Sequence, residues 1–174
     1  MRDLPRHIAA LSITLWVGGM WMLGYVVVPT LFKLLPDRQF AGMVAGQLFT
    51  LLAYIGIACA LYLLIYQLQQ FGRAAIQHRI FRITVAMLLL VLVGQFVLQP
   101  ILADLKLQAL PLDVMNSALA AQFKTWHAVS GILYLIQSLL GIALVLSSIK
   151  PTTSPPQVLE HIDATIARGQ RRQT

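Results

Sequence analysis

The sequence predicts an all-α integral membrane protein, a bundle of four transmembrane helices. Of its 174 residues, 58% are hydrophobic and 11% charged, and the mean hydropathy is +0.75. A soluble domain averages about 45–50% apolar and about 25% charged residues, so this chain cannot bury its apolar side chains in a core of its own. Four apolar runs contain no Asp, Glu, Lys or Arg, and they lie at residues 8–32, 43–66, 83–102 and 126–149.

Each run is long enough to cross a bilayer as a helix. About 20 apolar residues span the roughly 30 Å of hydrocarbon, and a helix satisfies its backbone groups within one segment. The first run is longer than the ~7–15-residue apolar core of a signal peptide. No small-residue cleavage motif follows it, so we expect a retained helix.

Two further helices are expected outside the bilayer. In the third connection, residues 103–125, Asp113 is a candidate N-cap. Apolar side chains follow it along one face, which predicts a short amphipathic helix on the outer membrane surface. After the fourth run, "KPTTSPPQ" stops the helix, and "VLEHIDATIARG" predicts a short cytoplasmic amphipathic helix. We expect a transmembrane domain at residues 1–150 and a cytoplasmic tail at residues 151–174.

Basic residues are distributed unequally between the two sides of the predicted bundle. Nine lie on the side of the termini and the second connection, and four on the other side. By the positive-inside rule, both termini are expected in the cytoplasm, with the chain in a bacterial inner membrane. The net charge of +7 then faces anionic lipid. The chain has no basic domain for nucleic acid.

A stripe of polar and small side chains runs along the fourth helix at 3.6-residue spacing. Its members are His127, Ser130, Gly131, Tyr134, Gln137, Ser138 and Gly141. Polar groups at this depth are costly, so they should face one another or a cavity. Since Pro29 has no amide hydrogen, it also frees the carbonyl of Tyr25. We therefore expect His127 to point into the bundle toward Gln95 or Gln99. The predicted ligand-binding residues of this outward-facing pocket are His127, Ser130, Tyr134, Gln95, Gln99, Tyr25 and Pro29.

Small residues predict close packing between the first two helices. The second helix contains "GMVAG", a GxxxG pattern that lets helix backbones approach each other in a membrane. The predicted packing residues are Gly18, Gly19, Gly42 and Gly46.

Metal, haem and catalysis have few candidate residues. The single cysteine, Cys59, excludes an intrachain disulfide and metal sites made of cysteine pairs. His127 with methionine thioethers could bind copper. Haem needs an axial ligand such as histidine, and the candidates, His7 and His127, are expected on opposite sides of the bilayer. No paired carboxylates, nucleophile–base pair or P-loop is present, so no catalytic residue is predicted.

Five motifs occur in an order that resembles a known family. "LWVGGMWMLGYVVVPTLFKLLPDRQFAGMVAGQLF" covers three of them, "LQP" ends the third run, and "FKTWHAVS" opens the fourth. Together they resemble the transmembrane protein 205-like family, whose bacterial members are a domain of unknown function. The resemblance implies a four-helix membrane protein without an established activity. The matching positions are Gly18, Gly19, Pro29, Phe32, Gly42, Gly46, Phe49, Pro100, His127 and Ser130.

The first helix also has a weaker likeness. "HIAALSITLWVGG" followed by "VVVPTLF" is similar to the first helix of copper-resistance protein D and of HemJ-type protoporphyrinogen oxidases. The likeness to HemJ-type proteins implies a haem at His7.

Three functions follow from these patterns as hypotheses. The favoured one is a non-enzymatic membrane protein whose pocket around His127 binds a small ligand or metal, or supports a homo-oligomer or membrane complex. The alternatives are a haem- or porphyrin-handling redox protein and a purely structural membrane subunit.

Overall fold

Four long helices make up most of the computed structural model, which describes residues 4–110 and 112–149. Each is long and apolar enough to cross a membrane, so the predicted all-α membrane bundle is confirmed. The helices are α1 (Leu4–Leu34), α2 (Arg38–Phe71), α3 (Arg79–Ala109) and α4 (Ala120–Ser148). The predicted helix within residues 151–174 lies outside the described residues, and the division into domain and tail stays a prediction.

The connections define the two ends of the bundle. The α1–α2 and α3–α4 connections lie at one end, which is called the outer end after its predicted orientation. The α2–α3 connection lies at the opposite, inner end and contains the 3₁₀ turn Gly72–Gln77.

Helix α2 is longer than its apolar run at residues 43–66. A polar cap lets it begin earlier, at the end of the α1–α2 connection. Its N-cap is Asp37, whose carboxylate accepts hydrogen bonds from the amides of Gln39 at 2.8 Å and Phe40 at 3.2 Å. These bonds satisfy amides that the first turn of a helix leaves free. The helix ends at Phe71, and its C-cap, Gly72, has a φ of 55°, a conformation that glycine adopts without strain.

Helices α1 and α3 each contain one π turn just before a proline. The turns are Leu23–Val27, before Pro29, and Gly94–Leu98, before Pro100. A proline inside a helix lacks an amide and collides with the carbonyl four residues back. The wider π turn relieves that collision, and its closing amide bonds the carbonyl five residues back. Both helices thus continue to the outer end.

The α3–α4 connection differs from the predicted amphipathic helix. Asp113 does act as a cap, but the helix it caps is a single 3₁₀ turn, Val114–Asn116. The hydroxyl of Ser117 donates to the Val114 carbonyl and accepts from the amide of Leu119. Such local side-chain bonds compete with a regular helix, so α4 begins only after this turn.

The buried core centres on Trp16, which is 2% exposed. Its indole lies against Gly56 of α2, and a Cβ at that position would overlap the indole nitrogen. Glycine at position 56 therefore allows the close approach of α1 and α2. The whole core cluster contains Ala9, Ile13, Trp16, Val17, Met20, Cys59, Ala60, Leu63, Met87 and Leu144.

The four glycines that were predicted to pack α1 against α2 have different surroundings. Gly19 faces a leucine side chain of α2, whereas Gly18 is exposed, and a Cβ added there would have no packing neighbour within 4 Å. The prediction for Gly18 is wrong because consecutive residues point about 100° apart on a helix, so only one of the two faces α2. Gly42 faces the last turns of α1, and Gly46 faces α3 rather than α1.

Gly56→Ala should destabilise the bundle because its Cβ would overlap the indole of Trp16. Overpacking of this kind typically costs about 1–3 kcal/mol. Thermal unfolding in one detergent would measure it, with Gly18→Ala as the matched control in open space. Equal melting temperatures for the two variants would contradict the close approach.

Candidate functional site

An aromatic cluster joins α1, α2 and α4 near the outer end. It consists of Trp21, Tyr25, Phe49 and Tyr134. The Phe49 and Tyr134 rings meet edge to face with centroids 5.2 Å apart, and Tyr25 lies 6.3 Å from Tyr134. Trp21 and Tyr25 have ring centroids 5.1 Å apart. Such separations are those at which aromatic rings attract one another.

Tyr134 fits against α1 because a glycine faces it. A Cβ at Gly24 would overlap the Tyr134 ring. The Tyr134 hydroxyl donates a hydrogen bond to the carbonyl of Met20, one turn before Gly24. Tyr134 therefore joins α4 to α1 near the start of the π turn, through this hydrogen bond and its contact with Gly24.

The π turn and Pro29 leave two successive carbonyls without their usual helical donors. Pro29 has no amide hydrogen for Tyr25 four residues back. The amide of Val28 bonds Leu23, five residues back, instead of Gly24. The sequence predicted the freed carbonyl of Tyr25, and the π turn adds that of Gly24. Two hydrogen-bond acceptors thus lie next to the aromatic cluster.

The predicted pocket residues of α3 and α4 have different roles. The side-chain amide of Gln99 donates to the Gly46 carbonyl and to the Thr50 hydroxyl, both at 3.3 Å, so Gln99 ties α3 to α2. Gln95 and Ser130 are half-buried. Within the described residues, neither side chain makes a hydrogen bond. Ligand binding by Gln95 and Ser130 stays a prediction.

His127 does not point into the bundle as predicted. Its side chain is exposed, and its ring stacks on Phe123, one turn earlier in α4, at 5.8 Å and 12°. Lys106 approaches the Phe123 ring at 5.8 Å. The imidazole lies close to the outer end of α4, where a polar ring can reach the membrane interface, so burial is not required. Pro29 is also exposed. Ligand or metal binding by His127 stays a prediction.

Metal and haem binding gain no support from the side-chain arrangement. Within the part of the chain that the structure describes, no three or more His, Cys, Asp or Glu side chains group as a metal site. His7 lies at the inner end, where the Tyr62 hydroxyl reaches the start of α1 at Pro5. His127 lies at the outer end, so the two cannot ligate one iron. Copper at His127 and haem at His7 or His127 stay predictions.

Gln137 is a buried polar residue whose role the sequence did not reveal. It is 6% exposed, and its side-chain nitrogen donates to the carbonyl of Met87 at 3.1 Å, tying α4 to α3. Its side-chain oxygen has no partner within the described residues. The neighbouring Ser138 hydroxyl donates to the Tyr134 carbonyl within α4. The stripe of the fourth helix placed Gln137 correctly on the inward face but not its partner.

Comparison with protein families finds one match. A family model described as a domain of unknown function (DUF4149) covers residues 11–111, from α1 to the end of α3. Comparison with curated proteins and with solved structures finds no match. The expected membership in an uncharacterised family is confirmed. The transmembrane protein 205-like naming and the likeness to copper-resistance protein D and HemJ-type proteins stay predictions.

Tyr134→Phe should lower the thermal stability of the bundle because it removes the hydroxyl that bonds Met20. Interhelical hydrogen bonds in membranes average about 0.6 kcal/mol, so we expect a small decrease. The matched control is Tyr54→Phe, on the exposed face of α2. The same melting temperature for both variants in one detergent would show that this bond does not stabilise the fold.

Proposed function

The chain belongs to the family of the domain of unknown function DUF4149, and we propose that it is a non-catalytic membrane protein that binds a small amphipathic molecule near its outer end. The observation that supports this function is the pair of freed carbonyls, Gly24 and Tyr25, beside the aromatic cluster. A carbonyl without a donor in hydrocarbon is costly, and a ligand with a donor group removes that cost.

The surroundings of these carbonyls indicate the chemistry of the ligand. Tyr25 is 45% exposed and Trp21 is 39% exposed, so flat apolar faces are accessible beside the acceptors. Ligand sites combine apolar walls with a few polar groups that orient the ligand. The proposed ligand therefore has an aromatic or planar apolar body and a hydroxyl or amine that donates to the freed carbonyls. Ser130 on α4, which packs against α1, is a further candidate contact.

A pair of amphipathic probes, octylphenol and its methyl ether, tests this proposal with the protein in lipid nanodiscs. Octylphenol has a donor hydroxyl, and its methyl ether has none. Since a ligand that binds the folded state raises its melting temperature, octylphenol should raise it more than the ether. Tyr25→Ala should remove the difference by deleting the exposed aromatic face. Pro29→Ala should also remove it because alanine supplies the missing amide.

Two further variants locate the binding site. Tyr54→Ala, a tyrosine on the exposed face of α2, should keep the difference between the two probes. Equal shifts with octylphenol and its ether in the unaltered protein would contradict the proposal. Loss of the difference in His127→Ala but not in Tyr25→Ala would place the ligand at His127 instead of beside Tyr25 and would contradict the proposal.

We also propose that the inner end faces the cytoplasm of a bacterial cell. The described carboxylates, Asp37, Asp104 and Asp113, lie toward the outer end, while Arg73, Arg79 and Arg82 lie at or near the α2–α3 connection. Cytoplasmic ends of membrane proteins are enriched in Lys and Arg, and these attract anionic lipid. Assembly into a homo-oligomer or a membrane complex stays a prediction.

A reporter fusion at Thr174 tests the orientation. A reporter that is active only in the cytoplasm should be active, and one that requires export should be silent, because nine of the thirteen Lys and Arg residues lie on the side of the termini. A fusion after Arg38, the first residue of α2 at the outer end, is the control and should behave in the opposite way. An exported reporter that is active at Thr174 would reverse the orientation.

A further inference from the structure

A groove runs along the lipid-facing side of α4 at the inner end. Its lining is apolar apart from the Arg79 guanidinium and the Ser147 hydroxyl, which lie at the end of the groove nearest the α2–α3 connection. The residues that line it are Arg79, Leu139, Ile142, Ala143, Leu146 and Ser147. Leu139, Ile142 and Leu146 are exposed, and their three- and four-residue spacing places them on one face of α4.

The dimensions of this face suit an acyl chain. From Leu139 to Ser147 the helix rises about 12 Å, at about 1.5 Å per residue. This is long enough for much of one lipid chain lying parallel to the helix. The apolar side chains provide contact along that length, and the polar end lies at the level where α3 begins.

The described charged residues at this end of the groove are arginines. Arg79 is the first residue of α3 and is exposed, and Arg82 follows it within one turn. Within the described residues, no carboxylate lies at the inner end, since Asp37, Asp104 and Asp113 lie toward the other end. The Ser147 hydroxyl already donates to the Ala143 carbonyl at 2.6 Å. Arg79 is therefore the group that an anion would meet at the end of the groove.

We propose that this groove binds one anionic phospholipid, whose phosphate pairs with Arg79 and whose acyl chain lies along Leu139, Ile142 and Leu146. A guanidinium forms strong charge-assisted hydrogen bonds with phosphate oxygens. Among the described residues, the ammonium of a zwitterionic lipid would meet cations and no carboxylate to pair with it. The site lies at the opposite end from the aromatic cluster and does not depend on the proposed ligand there.

Native mass spectrometry of the detergent-purified protein tests the proposal. The protein is incubated with phosphatidylglycerol or with phosphatidylcholine of the same acyl chains, and bound lipids are counted. We expect one phosphatidylglycerol to be retained in preference to phosphatidylcholine. Arg79→Gln should weaken its retention about fivefold, the effect of one basic residue near an anionic membrane surface. Ile142→Trp should weaken the retention of either lipid by filling the groove.

Arg73→Gln is the matched control, because it removes the same charge from the same end and leaves the groove intact. It should retain the lipid as the unaltered protein does. Equal weakening by Arg73→Gln and Arg79→Gln would overturn the site in favour of diffuse attraction. Unchanged lipid retention in Arg79→Gln would also overturn it. So would the finding that the protein is a dimer which Ile142→Trp dissociates while the lipid stays bound.

Loss of lipid through misfolding is distinguished by the melting temperature in lipid-free detergent. Arg79→Gln should leave that temperature unchanged or slightly raise it, because a cation in the first turn of a helix opposes the helix dipole. A large decrease for this variant would show that Arg79 acts in the fold and not on a lipid, and would overturn the proposal.

Discussion

The lack of water in the bilayer is the constraint on which this structure depends, because each backbone carbonyl and amide must find its partner within the protein. Four continuous helices satisfy that requirement almost everywhere. Pro29 and Pro100 are the exceptions, and the chain accommodates each with a π turn that relieves the collision but leaves acceptors behind. The backbone carbonyls that lack their usual helical donors therefore lie at the two π turns.

Polar side chains hold the helices together by bonding to backbone carbonyls of other helices. Tyr134 bonds α1, Gln99 bonds α2 and Gln137 bonds α3. Each bond uses an acceptor that a helix already presents, so a small number of polar side chains organises an apolar bundle. Close packing supports these bonds where Gly56 meets Trp16 and Gly24 meets Tyr134. What resembles a polar pocket in the sequence is in large part a set of interhelical contacts.

The two ends of the bundle differ in chemistry, and the proposed functions follow that difference. Near the outer end, free acceptors and accessible aromatic rings suit a ligand with a donor group and a planar body. At the inner end, arginines and an apolar groove suit a phosphate with an acyl chain. The two proposed sites lie at opposite ends of the bundle, so neither proposal depends on the other.

The sequence by itself determined the number of helices and part of the inward face of α4, because hydrocarbon thickness and helical periodicity act locally. The apolar runs left Asp37 and Arg38 outside the second helix, whereas Asp37 caps α2 and Arg38 begins it. The polar stripe of the fourth helix correctly included the buried Gln137. Tertiary structure alone decided that Gly19 and not Gly18 faces α2, and that His127 stacks on Phe123. Rotation of each helix about its axis depends on how neighbouring side chains fit, and a single-helix pattern contains no information about that fit.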